Sequence, residues 1–390
     1  MPQAFWSGVA CSADGTKLFL DGYESGIWVS TNRGSTWVET DTIESNRWSA
    51  ITCSADGVKL AAVSQDEYGA IYISTNSGNT WQPAAAPTDN YHAVTCSPDG
   101  TKLAAVSWDW GAWGIYTSTN SGTNWRLTQA LPLIGYFQSV AISADGAKLA
   151  AAGGDLAFIG NTTKLSGGGA IQYSTDSGVT WQASDAPMNW EWSAIACSSN
   201  GNFMVAAAYG DTNNNPGPVM ISTNAGAHWL PTTAPNLAYG AVACTPDGTR
   251  ITIGCYNPYQ TISPNLVYFS TNSGATWVPD PTLTDLGAAA YSADGTKRVA
   301  TTAGGWLVPN YVAVSPPLAV TVGPQLYLLP SGNTVALYWP TLPAGYTLQA
   351  TTDLAAGSWS NITTGIGTIG SYYAYTNPVS GKAAFFRLKQ

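Results

Sequence analysis

The sequence predicts an all-β protein: a seven-bladed β-propeller over residues 1–322, followed by a small β-sandwich module over residues 323–390. Three observations carry that expectation. A Ser-Ala-Asp-Gly-Thr-Lys signature and its variants recur seven times, with glycines at Gly15, Gly57, Gly100, Gly146, Gly201, Gly248 and Gly295. A second signature, Ser-Thr-Asn-x-Gly-x-Thr-Trp, recurs six times, at 30–37, 74–81, 118–125, 174–181, 222–229 and 270–277. Between the signatures lie short runs of β-forming residues, in the second unit at 50–53, 59–63, 70–74 and 81–84. Four strands per unit of roughly 45 residues is the pattern of a propeller blade.

Each element has a local reason. The Asp-Gly dipeptide supplies the positive-φ residues of a tight hairpin between the first two strands of a blade. In the second signature the Asn or Asp side chain caps its own turn, Gly takes the left-handed position, and Trp packs the turn down. The seventh unit has Val314-Ser315-Pro316-Pro317 in place of the second signature. No spare strand precedes the first inner strand, so the outer strand of that blade is expected from 318–322.

These signatures resemble the Asp-box, or bacterial neuraminidase repeat, propellers, whose motif is Ser-x-Asp-x-Gly-x-x-Trp. The resemblance covers about residues 5–320 and implies the fold; the box is a structural turn throughout that family, so it implies little about activity. Asn replaces the motif's Asp in five of the six boxes, and only Asp176 keeps the carboxylate. From about Gly323 the period stops and new β-runs appear at 325–329, 334–339, 346–351, 372–375 and 383–388. The run at 346–354 and the closing Phe385-Phe386-Arg387-Leu388 resemble small fibronectin-III-like C-terminal modules of secreted bacterial proteins.

Composition narrows the partners. Charged residues are 9% of the chain, against about 25% in an ordinary soluble domain. The net charge of −9 argues against nucleic acid. No stretch approaches the ~20 apolar residues of a membrane span. The opening Met1-Pro2-Gln3-Ala4-Phe5-Trp6 has neither a basic nor an apolar leader region, so no signal peptide is expected within this chain. Its neutral, Trp-, Asn- and Thr-rich composition is nevertheless that of a secreted protein. Cys11, Cys53, Cys96, Cys197 and Cys244 share one repeat position, filled by Ile142 and Tyr291 in the other units. A position that accepts Cys, Ile or Tyr is a packing position, so buried free thiols are expected. No Cys/His spacing fits zinc. Asp211-Thr212-Asn213-Asn214-Asn215 carries oxygen ligands without the helices of a calcium loop, and no metal or cofactor is assigned.

Strand order separates two ends. Both signatures fall at one end, which is short and repetitive, while the connections of variable length fall at the other, where binding sites usually sit. The variable end is expected to carry Asp21, Glu24, Asp41, Glu44, Asp66, Glu67, Asp89, Asp109, Asp155, Asp185, Glu191, Asp211, Asp280 and Asp285 against Arg47 and Lys164. Trp6, Trp48, Tyr91, Phe137, Trp192, Tyr239 and Leu286 open the inner strands. They either plug the channel between blades or ring its mouth as a stacking platform for sugars. The candidate ligand-binding residues are Trp48, Tyr91, Trp108, Asp109, Trp110, Trp113, Trp190, Glu191 and Trp192, of which 108–113 is the most site-like segment.

One arginine on that end is too few for the arginine triad of a sialidase. A glycoside hydrolase needs only two carboxylates at the right separation, which Asp66, Glu67, Asp109, Asp155, Glu191 and Asp211 could supply. With His92 and His228 the only histidines, a nucleophile triad finds no support. The expected function is therefore a secreted, non-catalytic binding propeller for a neutral polysaccharide or other polar ligand. The alternatives are a self-assembling exterior protein, an oligomer or filament pairing through blade edges poor in Lys, and a glycoside hydrolase.

Overall fold

The computed structural model describes residues 5–23, 25–40, 47–65, 69–107, 114–128, 136–154, 169–211, 215–255, 267–280, 283, 286–301, 312–314, 327–331, 334–340, 347–351, 359–369, 372–378 and 385–389. The chain divides into two compact units, Met1–Leu318 and Ala319–Gln390. All regular structure among the described residues is β-strand.

Unit 1 is a succession of antiparallel sheets, each with its strands in chain order. The first comprises β1 (Phe5–Cys11), β2 (Leu18–Tyr23), β3 (Gly26–Ser30) and β4 (Val38–Glu39). The second comprises β5 (Trp48–Cys53), β6 (Leu60–Ser64), β7 (Ile71–Ser74) and β8 (Gln82–Pro83). Then follow β9 (Tyr91–Cys96), β10 (Leu103–Ser107), β11 (Ile115–Ser118) and β12 (Arg126–Thr128), and after them β13 (Tyr136–Ile142), β14 (Leu149–Gly154), β15 (Ile171–Ser174) and β16 (Gln182–Ala183). The next two sheets are β17 (Trp190–Cys197), β18 (Met204–Asp211), β19 (Val219–Ser222) and β20 (Leu230–Pro231), and β21 (Tyr239–Cys244), β22 (Ile251–Cys255), β23 (Val267–Ser270) and β24 (Val278–Pro279). The last holds β25 (Ala288–Tyr291), β26 (Arg298–Thr301) and β27 (Val312–Val314). The outer strand expected at 318–322 lies outside the described residues.

The first strands of successive sheets lie against one another, and β25 lies against β1. The sheets are thus arranged as blades of a β-propeller. Backbone bonds link the Asp-Gly turns around the ring: Ala13 N to Ala55 O at 2.7 Å, Ala55 N to Pro98 O at 2.6 Å, Ala144 N to Ser199 O at 2.7 Å and Ser199 N to Pro246 O at 2.7 Å. Ala293 N donates to Ala13 O at 2.7 Å and joins the last turn to the first. The series skips the steps after Pro98 and Pro246, because proline has no N–H to donate.

Each middle strand is covered on both faces by neighbouring blades, so it reads as a continuous small-aliphatic run rather than an alternating one. Leu60-Ala61-Ala62-Val63-Ser64 of β6 and Leu103-Ala104-Ala105-Val106-Ser107 of β10 are buried at every residue. Phe19 and Ile27 of the first blade pack with Trp48, Leu60 and Trp81 of the second. Full burial of one such aliphatic side chain contributes about 1.5–3 kcal/mol.

Two expectations change. None of the six cysteines is in a disulfide, but Cys11, Cys53, Cys96, Cys197 and Cys244 are half-buried rather than buried. They end the innermost strands, where a side chain has a neighbouring blade on only part of its surface. Cys197 Sγ donates to Ile142 O at 3.0 Å, and burial pushes its thiol up to about 12. The outer strands are two residues long in five sheets, and Pro83, Pro231 and Pro279 sit in three of them. Short, proline-bearing edges resist strand addition, so the expected self-pairing through blade edges gains no support.

Unit 2 contains two sheets, of order β28-β29-β33-β32 and β31-β30-β34. Their strands are β28 (Tyr327–Ser331), β29 (Thr334–Pro340), β30 (Thr347–Thr351), β31 (Ser360–Asn361), β32 (Ile366–Ile369), β33 (Tyr372–Pro378) and β34 (Phe385–Lys389). Leu337 of one sheet and Leu348 of the other are buried together, with Ile366, Tyr373, Tyr375, Phe386 and Leu388 packed around them. Strands β31 and β32 are not among the runs expected from sequence; Gly365, at φ 76°, stands directly before β32.

Candidate functional site

The turn end of the propeller is chemically self-contained. In the second box Gly78 N donates to Ser74 Oγ at 2.9 Å, and that hydroxyl donates to Asn76 Oδ1 at 3.0 Å. The same Oδ1 accepts Thr80 N at 2.9 Å, while Asn76 Nδ2 donates to Thr80 Oγ1 at 2.9 Å. Asp176 reproduces the arrangement, accepting Thr180 N at 2.9 Å and Thr180 Oγ1 at 2.6 Å. The residue before each box glycine is also left-handed: Arg33, Ser77, Ser121, Ser177, Ala225 and Ser273 have φ between 55° and 62°. Sequence reasoning had given that conformation to the glycine alone.

The lysines of this end bind protein rather than project as a charged patch. Lys17 Nζ reaches the next blade, donating to Asp56 O at 2.9 Å and Ser77 Oγ at 3.1 Å. Lys59 does the same to Asp99 O at 3.0 Å and Ser121 Oγ at 3.2 Å, and Lys102 to Asp145 O at 2.5 Å. Lys297 donates to Asp14 O and so clasps the last turn to the first.

The loop end differs. The aromatic residues that open the inner strands do not ring the mouth as stacking faces. Trp48, Tyr91 and Trp192 are 1%, 0% and 0% exposed. They are wedges between blades: Tyr91 OH donates to Pro87 O at 2.7 Å and Trp192 Nε1 to Pro187 O at 3.2 Å. Trp48 and Tyr91 meet Tyr72 and Tyr116 edge-on, with ring centroids 5.2 and 5.5 Å apart, a favoured geometry for aromatic pairs. Of the expected aromatics, Trp190 remains half-buried at the start of β17, paired in register with Asp211 of β18. Trp108, Asp109, Trp110 and Trp113 lie outside the described residues.

A register shift follows the opener in six blades and displaces Ser7, Ser49, His92, Gln138, Ser193 and Gly240, together with Glu191, from the strand register. A bulge re-aims the side chain it displaces. Except for Glu191, these residues are half-buried and polar or glycine. His92 Nδ1 lies 3.0 Å from Gln65 Nε2, and burial pulls its pKa down to about 4. His92 is therefore neutral at physiological pH, and it accepts rather than donates at Nδ1. Sequence spacing located the opener of each strand, but the displaced residue beside it was missed, because no composition rule marks a bulge.

The expected acidic face is also revised for the acids that the structure describes. Asp89 is buried and accepts Tyr116 OH at 2.8 Å. Asp280 pairs with the buried Arg298. Asp185 is at the turn end, not the loop end: it contacts His228 and accepts Trp229 N at 2.9 Å inside the following box. Its hydrogen bond to His228 holds the carboxyl below the usual carboxylate range. Glu191 is buried, and Asp211 accepts both Asn215 N at 2.9 Å and Asn215 Nδ2 at 2.8 Å. Arg47 lies over the Tyr23 ring, 5.4 Å from its centroid.

Asp21 departs furthest from the repeat. It occupies the position of Val63, Val106, Ala152, Ala207 and Gly254 on other second strands. Its register partner Gly8 stands where other blades have Ala50, Ala93, Ser139, Ala194 and Ala241. A Cβ at Gly8 would lie 2.2 Å from Asp21 Oδ1, so the glycine makes room for the acid. Both carboxyl oxygens are buried without a hydrogen-bond partner of good geometry. Burial raises the pKa to about 7, and the backbone amides of Asp21 and Gly8 only soften the effect. No group of three or more His, Cys, Asp or Glu side chains suited to a metal occurs among the described residues.

The fold and both ends of unit 1 define a β-propeller, and solved structures agree. The xyloglucanase of glycoside hydrolase family 74 from Xanthomonas campestris is similar with a TM-score of 0.62 at 16% identity, over 87% of this chain and 58% of that one. The family 74 enzyme from Niastella koreensis gives 0.62 at 15% identity, over 98% and 72% of the two chains. Hydrazine synthase from Kuenenia stuttgartiensis gives 0.61 at 14% identity, over 81% and 97%. This chain therefore spans little more than half the length of the Xanthomonas enzyme. The sequence matches no protein-family profile and no curated protein. At these identities the likeness is one of fold.

Proposed function

We propose that unit 1 is a seven-bladed, Asp-box binding propeller of a secreted protein, taking a neutral polysaccharide or a similar polar ligand at its loop end. The observation that carries the reading is the contrast between a repetitive turn end and a loop end that presents partly exposed aromatics beside uncharged polar side chains. The repeated side chains of the turn end bond to one another. The loop end carries the half-buried Ser7, a neutral His92 bonded to Gln65, and the partly exposed aromatics Trp190 and Tyr23, while the bulged Ser49 and Ser193 donate to Tyr91 O at 2.8 Å and Tyr239 O at 2.7 Å of the next blade. Uncharged hydrogen-bonding groups beside an aromatic face suit sugar hydroxyls and ring faces. Trp108, Asp109, Trp110 and Trp113 complete this site in the proposal, and Trp48, Tyr91 and Trp192 support it from beneath. Glu191 borders it. Unit 2 is proposed as a fibronectin-III-like accessory over about residues 323–390.

Titration with neutral oligosaccharides of xyloglucan and cellulose tests the reading. Trp190→Ala should weaken binding about tenfold, the order of one lost stacking contact. A folded variant with unchanged affinity, or a wild type that binds no neutral glycan, counts against it.

A second reading, glycoside hydrolysis, draws on two observations. Glu191 and Asp211 lie on adjacent strands at the loop end, and two of the similar structures are family 74 enzymes. Release of reducing ends by wild type but not by Glu191→Gln would establish it. Absence of release under binding conditions leaves the non-catalytic reading.

A further inference from the structure

We propose that the outward face of the small sheet in unit 2 is a binding site for the carboxylates of an acidic polysaccharide, centred on Arg387. This does not rest on the loop-end reading, because every group involved belongs to unit 2.

The face follows from register. Gln349 of β30 pairs with Arg387 of β34 on one side and with Asn361 of β31 on the other. These side chains share the face opposite Leu348, which is buried in the core. Trp359, two residues before Asn361, has the same alternation. Arg387 reaches across the sheet, and its guanidinium carbon lies 4.2 Å from the Trp359 ring centroid. Its Nε donates to Gln349 Oε1 at 2.9 Å, and Gln349 Nε2 donates to Asn361 Oδ1 at 2.7 Å. Gln349 is only 6% exposed although it sits on the outer face, because the arginine and its neighbours roof it.

The consequence is a guanidinium fixed in plane and orientation. Among the described residues Nη1 and Nη2 make no hydrogen bond, although Arg387 is exposed. A planar fork whose two NH2 groups both face outward matches a carboxylate bidentately, and fixing it beforehand removes part of the entropy cost of binding. Two residues either side on the same face of β34 stand the exposed Phe385 and Lys389, each about 7 Å along the strand. They supply an apolar face for a sugar ring and a second cation. Charge distribution agrees: unit 2 holds Lys382, Arg387 and Lys389, three of the fourteen basic side chains, but only Asp353 of the twenty-three acids. An anionic bilayer is the weaker partner, since two exposed cations fall short of the cluster of about four or more that recognition of such a surface takes.

Affinity electrophoresis and titration of the full chain against polygalacturonate provide the test, with neutral xyloglucan and phosphatidylglycerol vesicles as controls. Wild type should bind polygalacturonate, and raising salt should weaken it. Arg387→Gln should abolish binding. Arg387→Lys, which keeps the charge and loses the fork, should weaken it about tenfold. Trp190→Ala in unit 1 should leave it unchanged, which separates this site from the loop end. Equal affinity of wild type and Arg387→Gln would overturn the proposal, as would retention by the vesicles and not by polygalacturonate.

Discussion

The same strands run from one end of the propeller to the other, yet their two ends obey different rules. At the turn end, Ser74, Asn76 and Thr80 satisfy each other, and Lys17 reaches Asp56 O and Ser77 Oγ of the next blade. At the loop end, bulges displace one residue after most openers, and the connections differ in length from blade to blade. Repetition thus serves closure at one end, and variation at the other gives each blade different side chains to set around a ligand. Conserving a hydrogen-bond pattern needs the same residues in every blade, whereas recognising an asymmetric ligand needs different ones.

The largest effect expected from this contrast concerns two neighbouring tryptophans. Trp192 is a buried wedge and Trp190 is half-buried at the rim. Trp192→Ala should cost about 3–5 kcal/mol of unfolding free energy, while Trp190→Ala should cost under about 1 kcal/mol and act on binding instead. Urea denaturation of both variants checks this, and similar losses in the two would erase the distinction between wedge and rim.

Asp21 gives the next largest effect, because it is the one second-strand carboxyl buried at this level. Its folded pKa of about 7 lies above the ordinary carboxyl value near ~4 expected when unfolded. Between those two values the folded state holds a proton that the unfolded state has lost. Stability from this group is therefore highest below about pH 4 and falls as pH rises to about 7, by roughly 4 kcal/mol, then stays flat. None of β1, β3 and β5, which pack around it, carries an acid or a base; their ionisable groups are the thiols of Cys11 and Cys53 at the far strand ends. Asp21→Val restores the aliphatic residue of the repeat. It should remove this slope and raise stability at pH 8 by about 3–4 kcal/mol. A variant that keeps the wild-type slope would show that the buried acid is not its source.

A smaller effect tests the turn end. Ser74→Ala deletes the acceptor for Gly78 N, a buried bond, and leaves that N–H without a partner. The cost should be about 1–3 kcal/mol. Thermal melts should show it with no change in affinity at the loop end. A Ser74→Ala protein of unchanged melting temperature would mean that the box hydrogen bonds add nothing to the blade.

Much of the fold was legible because its turns are written locally. Asp-Gly and the box fix φ and hydrogen bonding within a few residues, and counting them located the sheets. The candidate site was less legible for the same physical reason. Spacing placed Trp48, Tyr91 and Trp192 at the head of the inner strands, but one bulged residue changes which side chains face the core. Asp185 was misplaced because the outer strand β16 ends after two residues, so the chain stays beside the next box and does not climb to the loops. Asp21 was placed among the acids of the variable end, since only the register with Gly8 reveals that it lies inside.

Hydroxyl-radical footprinting of the full chain, with and without a saturating neutral glucan oligosaccharide, tests the central claim most directly. Trp190 and Tyr23 are two of the partly exposed aromatics at the loop end, with Tyr136 and Tyr209, while Val38, Val179 and Leu230 mark the turn end and outer strands. Protection should appear at Trp190 or Tyr23, with reactivity at Val38, Val179 and Leu230 unchanged. Protection confined to the latter three would place the ligand on the wrong end of the propeller and contradict the account.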